Sequence, residues 1–256
     1  MTPSTTCGEI PACIPLEIKT GHRCFLTLRV GPVWCGDGAL LALELLSDVR
    51  DSMTGKRLSP EVFFSRTPPG ELLRILNWQL DMVRERQSWF RERNLRVSVN
   101  FTRSLAIGVL TAPETARQIN QLRDILRLEL SEYFITPGGT GCDALVQGMG
   151  ELAPLWLDDF GCGSTPYTCL TEGHFEAVKL DRCFVKRLYR MSGGTEFIRG
   201  LSGLMAGTDT QLIAEGISEP ALWDFARHAG VAASQGWLWP EVYMDSLNTL
   251  PVRLPL

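Results

Sequence analysis

Apolar positions along the chain change spacing repeatedly, from the close runs of a buried strand to the three-and-four step of a helix. Residues 25–32 and 39–45 are short runs rich in leucine and valine, parted by Gly36-Asp37-Gly38, a combination that favours a tight turn. After the breaker Pro68-Pro69-Gly70, Leu72, Leu73, Leu76, Leu80 and Val83 recur at helical spacing, with Arg84, Glu85, Arg86, Arg91 and Glu92 on the polar faces. Strand spacing returns over residues 95–101, a helix follows over 113–124, and 125–130 is strand again. The run from Thr136 to Gly141, Thr-Pro-Gly-Gly-Thr-Gly, reads as loop. Beyond it come a helix over 142–151 and strands over 154–158 and 177–180. A helical stretch over 184–206 breaks at Gly193-Gly194, and a strand over 211–214, a helix over 220–229 and a strand over 231–234 complete the series.

Eight strands, most of them separated by helices, predict parallel strands joined by right-handed crossovers. That number favours an α/β barrel over an open sheet, and about 250 residues is an ordinary length for such a barrel. No linker or shift of composition divides the chain of 256 residues. The expected organisation is an N-terminal segment, 1–22, and one domain, 23–256.

Composition narrows the function classes. An apolar fraction of 45% with 21% charged residues is that of a globular protein with a sizeable core. A net charge of −4 argues against a DNA or RNA polymer as partner, while leaving room for a local pocket that takes a small anion. The eight cysteines include no Cys-x-x-Cys pair and the three histidines lie far apart, so a zinc site of the Cys/His kind is not expected. The cysteine pattern suits a reducing compartment, and neither a signal-like start nor a membrane-length apolar run is present. The expectation is a cytoplasmic chain with no membrane partner.

The residues that close the strands carry the chemistry. Glu44 falls at the end of 39–45, Asn100 at the end of 95–101 and Glu129 near the end of 125–130. Asp158 and Asp159 follow Leu155-Trp156-Leu157 at the end of 154–158, Lys179 and Asp181 flank Leu180, and Glu215 and Gln235 follow the last two strands. In an α/β barrel the C-terminal strand ends share one mouth. Taken singly, each of these residues is best read as a cap or a solvated charge; their joint placement is not. Carboxylates gathered there disfavour one another's ionisation, and all-oxygen donors select hard divalent cations such as Mg²⁺ or Mn²⁺. Two such ions can activate water for phosphodiester hydrolysis.

Glu44-Leu45-Leu46, Val97-Ser98-Val99-Asn100, Glu129-Leu130-Ser131-Glu132, Asp158-Asp159-Phe160-Gly161-Cys162-Gly163, Val178-Lys179-Leu180-Asp181, Ala214-Glu215-Gly216-Ile217 and Gln235-Gly236 stand in the order and spacing of the EAL domain. The chain resembles the short stand-alone enterobacterial members of that family. The resemblance implies a modified TIM-type (β/α)8 barrel with one antiparallel strand, and hydrolysis of cyclic di-GMP to linear pGpG with two Mg²⁺ or Mn²⁺ ions. By position, Glu44, Asn100, Glu129, Asp158, Asp159 and Glu215 would hold metal, and Lys179 would act with Glu44 and Asp158 on the attacking water or the scissile phosphate. Pro32, Leu45, Leu46, Asp181 and Gln235 would face substrate, and Glu132 would brace the loop after Asp159. Cyclic di-GMP as small-molecule partner and a homodimer are further expectations of the resemblance.

Three positions depart from the family pattern: Gly31 replaces a glutamine that contacts substrate, Asp48 an arginine that binds phosphate, and Ser218 a glutamate. An anion in place of a phosphate-binding cation is expected to weaken substrate binding. The alternative to an enzyme is accordingly a weak or inactive EAL protein that regulates motility or fimbriae by binding another protein. The retained carboxylates and Lys179 favour the enzyme, since buried carboxylates without a cation destabilise a fold.

Overall fold

The computed structural model describes residues 14–17, 23–135, 144–163, 165 and 167–254. The expected loop at 136–141, the first two residues of the helix expected from 142, and most of segment 1–22 lie outside the described residues.

Along the chain the strands are β1 (Ile14–Glu17), β2 (Arg23–Cys35), β3 (Leu40–Asp51), β4 (Arg57–Leu58), β5 (Arg96–Phe101), β6 (Leu126–Ser131), β7 (Leu155–Phe160), β8 (Phe175–Leu180), β9 (Gln211–Ala214), β10 (Ala233–Gln235) and β11 (Val242–Tyr243). The helices are α1 (Pro60–Arg66), α2 (Pro69–Glu85), α3 (Gln87–Glu92), α4 (Arg103–Leu110), α5 (Pro113–Gln121), α6 (Ala144–Leu152), α7 (Tyr167–Thr171), α8 (Arg182–Tyr189), α9 (Gly194–Leu204) and α10 (Pro220–Ala229). Strands β3 and β5 to β10 run parallel in sequence order, and β2 closes the barrel, antiparallel to both β3 and β10. The reversal follows from the connection. The chain turns from β2 to β3 within a few residues, with Gly38 at φ 80°, and a turn that short can only join antiparallel strands.

The barrel is plugged from within. Trp156, 1% exposed, is surrounded by Val33, Ala42, Ala177, Ile213 and Ala233, small or branched residues that leave room for one indole. Side chains alternate along a strand, so the residues two steps further on face the same interior one layer higher. Those residues are Asp158, Glu44, Lys179, Glu215 and Gln235. The polar layer thus stands directly on an apolar floor. Outside the strands, α2, α4, α5, α6, α8, α9 and α10 pack their apolar faces against the outward residues of the sheet in one continuous core.

Strand β3 runs six residues beyond the expected 39–45. Its outer half, rich in Ser, Asp and Arg, pairs with residues 24–28 of β2, and β1 and β4 flank this extension. The polar content conceals a strand that stands above the barrel mouth, backed by a smaller core of Cys24, Leu26, Val49, Phe63 and Ile75. Helix α4 was not expected either. Thr102, whose hydroxyl accepts from the Leu105 amide, starts it, and its apolar residues Leu105, Ala106 and Val109 are buried.

Candidate active site

Lys179 sits at the centre of the polar layer with no exposure to solvent. Its Nζ lies 2.8 Å from Glu215 Oε1, 3.0 Å from Glu129 Oε2, 3.2 Å from Asp158 Oδ1 and 3.4 Å from Glu44 Oε2. Glu44 is fixed from two more sides: Asn100 Nδ2 donates to Oε1 at 2.8 Å and Gln235 Nε2 donates to Oε2 at 2.6 Å. Six strands and the start of the loop after β9 therefore deliver one ammonium, two amides and four carboxylates to one small volume. Glu44 lies in the middle of its strand, not at the end, because β3 continues above the mouth.

Asp159 joins this group through an irregular backbone. Neighbouring residues of a regular strand point to opposite faces, yet Asp158, Asp159 and Glu215 offer oxygens within 4.8 Å of one another. The β7–β8 register breaks between Leu157 and Phe160, and Asp159 takes a left-handed conformation at φ 58°. Such a conformation is costly for a residue with a side chain, and the bulge re-aims the Asp159 carboxylate toward its neighbour's.

The charges answer to this crowding. Burial raises Glu129 well above the carboxylate range, with Glu44 and Asp158 adding to the rise and Lys179 opposing it. Burial likewise raises Asp158, and lifts Asp159 to about 6 with the help of Asp158. Glu215 goes to about 8, again by burial first, against the pull of Lys179. Glu44 moves the other way: burial opposes its charge, but the Lys179 ammonium and the amides of Asn100 and Gln235 hold it below the usual range. Burial would strip Lys179 of its proton, and the surrounding carboxylates outweigh that by far. One ammonium cannot neutralise five carboxylates. Glu129 Oε1 and Gln235 Oε1 are moreover buried with no hydrogen-bond partner. Both facts fit an all-oxygen site for hard divalent cations.

The remaining residues marked by the sequence have other surroundings. Glu132 accepts hydrogen bonds from the amides of Gly161, at 3.1 Å, of Gly163, and of Thr165, at 2.8 Å, and so ties the segment after Asp159 to the end of β6. Ser164 and Pro166 of that segment lie outside the described residues. Asp181 caps α8, accepting from the amides of Cys183 and Phe184 at 2.8 and 3.0 Å. Gly31 faces Gln235: a Cβ there would come within 2.8 Å of Gln235 Nε2. The missing side chain is what lets the Gln235 amide lie over β2 and reach Glu44.

Two cavities open on the polar layer. One, of about 510 Å³, is lined by Leu45, Asn100, Asp158 and Asp159, with Arg57 and Phe64 on its wall. The other, of about 330 Å³, holds Pro32, Glu215 and Gln235, with Arg29, Arg182 and Trp237 on its wall. Leu46 and Glu241 line both. Trp237 is 69% exposed, and the charges of Arg182 and Lys186 lie 5.9 and 5.7 Å from its ring. Arg29, Arg57 and Arg182 carried no signal in the sequence, since none of them closes a predicted strand.

An eight-stranded barrel with one reversed strand, and a layer of carboxylates around a buried lysine at its mouth, defines the class of this molecule. The chain belongs to the EAL domain family, which its residues 21–241 match. It is 30% identical over 225 residues to the cyclic di-GMP phosphodiesterase PdeH of Escherichia coli K12, covering 87% of this chain and 86% of that one. It is 24% identical to the anti-FlhC(2)FlhD(4) factor YdiV of Salmonella typhimurium LT2, over 87% of this chain and 93% of the relative. The crystal structure of the EAL-like domain protein YdiV superposes with a TM-score of 0.80 at 20% identity, covering 90% of this chain and 97% of that one. No described helix is long and apolar enough to cross a membrane.

Proposed function

We propose that this chain is a metal-dependent phosphodiesterase that hydrolyses cyclic di-GMP to linear pGpG. The observation that carries the reading is the closure of Glu44, Glu129, Asp158 and Glu215 around Lys179 within 3.4 Å, with Asp159 beside them. Glu44, Asn100, Glu129, Asp158, Asp159 and Glu215 would hold two Mg²⁺ or Mn²⁺ ions. Bound there, such ions would supply Lewis acidity to a phosphate oxygen and lower the pKa of water. The chain's own groups do the rest. Lys179 keeps its proton, so it serves as a fixed positive charge for a phosphate that gains negative charge, and not as a base. Asn100 and Gln235 orient the Glu44 carboxylate from both sides. Leu45, Leu46 and Pro32 form apolar walls on which nucleobases can rest. The kinship with PdeH supports the same substrate.

The likeness to YdiV supports a second reading, a regulator that acts by binding a protein of the motility system. Turnover separates the two. The purified chain with saturating Mn²⁺ is expected to form pGpG, and Glu44→Ala to lower the rate at least a hundredfold, about the loss seen when one preorganised catalytic group is removed. No turnover by the wild-type chain would leave the regulatory reading in its place.

A further inference from the structure

Asp48 stands on β3 on the same face as Glu44 and Leu46, above the mouth, and is completely buried. Its Oδ1 lies 2.9 Å from Arg57 Nε, and its Oδ2 accepts from Arg50 Nε and Nη2 at 3.2 and 3.0 Å. The two arginines are direct cross-strand partners on β3 and β4, a placement that repels unless an anion lies between them. Asp48 is that anion, and the trio keeps one surplus positive charge at the rim. Arg50 also reaches the Tyr243 hydroxyl. Arg57 instead lines the 510 Å³ cavity that contains Asn100, Asp158 and Asp159, with about half of its side chain exposed. Asp48 engages Arg57 through Nε, whereas a phosphate is forked by the terminal amino groups, so the two contacts are compatible.

Charge balance says what such a cation is for. With every carboxylate ionised, five carboxylates and one ammonium would carry four net negative charges, which two divalent ions would cancel. A cyclic dinucleotide carries two phosphates, and ions held by the carboxylate layer would take the one that is cut. The other must leave water for the same cavity, and an unpaired phosphate there is costly. Resting on the phosphodiesterase reading, we infer that Arg57, positioned by Asp48, binds the phosphate of the cyclic dinucleotide that is not cleaved. On this inference Asp48 works as the anchor of a cation delivered from β4, a role opposite to the weakened substrate binding that its charge alone implies.

Calorimetric titration of a slowly cleaved bis-phosphorothioate analogue of cyclic di-GMP, with saturating Mn²⁺, tests the assignment. Arg57→Ala is expected to weaken binding about tenfold or more, the loss of a hydrogen bond to a charged group. Arg57→Lys recovers part of it, and Arg50→Ala stays within about twofold, because Arg50 lines neither cavity. Mn²⁺ affinity, read in the same instrument, stays that of the wild type and reports an intact barrel. Asp48→Asn raises KM and leaves kcat in place, the mark of a positioning residue. Undiminished binding by Arg57→Ala overturns the assignment and leaves the phosphodiesterase reading standing. A weakening seen for the guanine analogue and absent for its adenine counterpart assigns Arg57 to a base edge and overturns the phosphate role. Failure of the wild-type chain to bind the analogue at all removes the phosphodiesterase reading itself.

Discussion

A lysine without access to water keeps its proton only where negative charge surrounds it, and Lys179 has four carboxylates within 3.4 Å. The dependence runs both ways, since Glu44, Glu129, Asp158 and Glu215 share that one counter-charge. Removing one partner of a buried ion pair typically costs about 3–5 kcal/mol. Lys179→Met is therefore expected to lose about that much stability in EDTA at pH 7.5, measured by urea unfolding. At pH 5.5 the loss shrinks, because carboxylates already raised by burial can take protons instead of lacking a partner. Equal losses at the two pH values would contradict this account. Gly31 shows the same economy of space: the room its missing side chain leaves is taken by the Gln235 amide, which reaches Glu44.

At the scale of elements, the end of β7 is held from below. Glu132 takes three successive amide contacts from the segment after Asp159, while Asp159 itself carries a strained φ. Glu132→Ala is expected to speed hydrogen exchange at the amides of Gly161, Gly163 and Thr165 while leaving β5 and β6 protected; unchanged exchange in the loop would show that the brace is redundant. The sequence announced the parallel strands well, because short apolar runs ended by an acid or an amide repeat along it. It was silent on the outer half of β3 and on β4. A strand of two residues has no periodicity, and Asp48, Arg50 and Arg57 look like solvent-facing charges until pairing brings them together. The metal-type carboxylates were legible one by one at strand ends. Their geometry was not: the bulge that brings Asp159 beside Asp158 has no sequence mark beyond an Asp-Asp pair.

For the whole molecule, the acidic layer couples stability to pH and, on the proposed function, to metal. Glu215 is raised from 4.5 to about 8 and Asp159 from 3.8 to about 6, so between these values the folded chain binds more protons than the unfolded one. Stability from these groups is complete below the unfolded values and is lost as pH rises through the folded ones. The metal-free chain is expected to show a falling melting temperature from pH 5.5 to 8, with saturating Mn²⁺ flattening the slope. A rise over that range in EDTA would exclude the assignment of these shifts.

The ammonium at the centre of the mouth also bears on the order of assembly. A site that carries its own counter-ion lets the barrel close before any ion arrives, so the proposed metal loading would be a late and reversible step. If the chain is the proposed phosphodiesterase, chelation is expected to stop turnover without unfolding it. Near-ultraviolet circular dichroism in EDTA is expected to keep its folded signature, and activity to return on adding Mn²⁺. The choice of ion would be made by supply at the moment of use, not fixed when the chain is made.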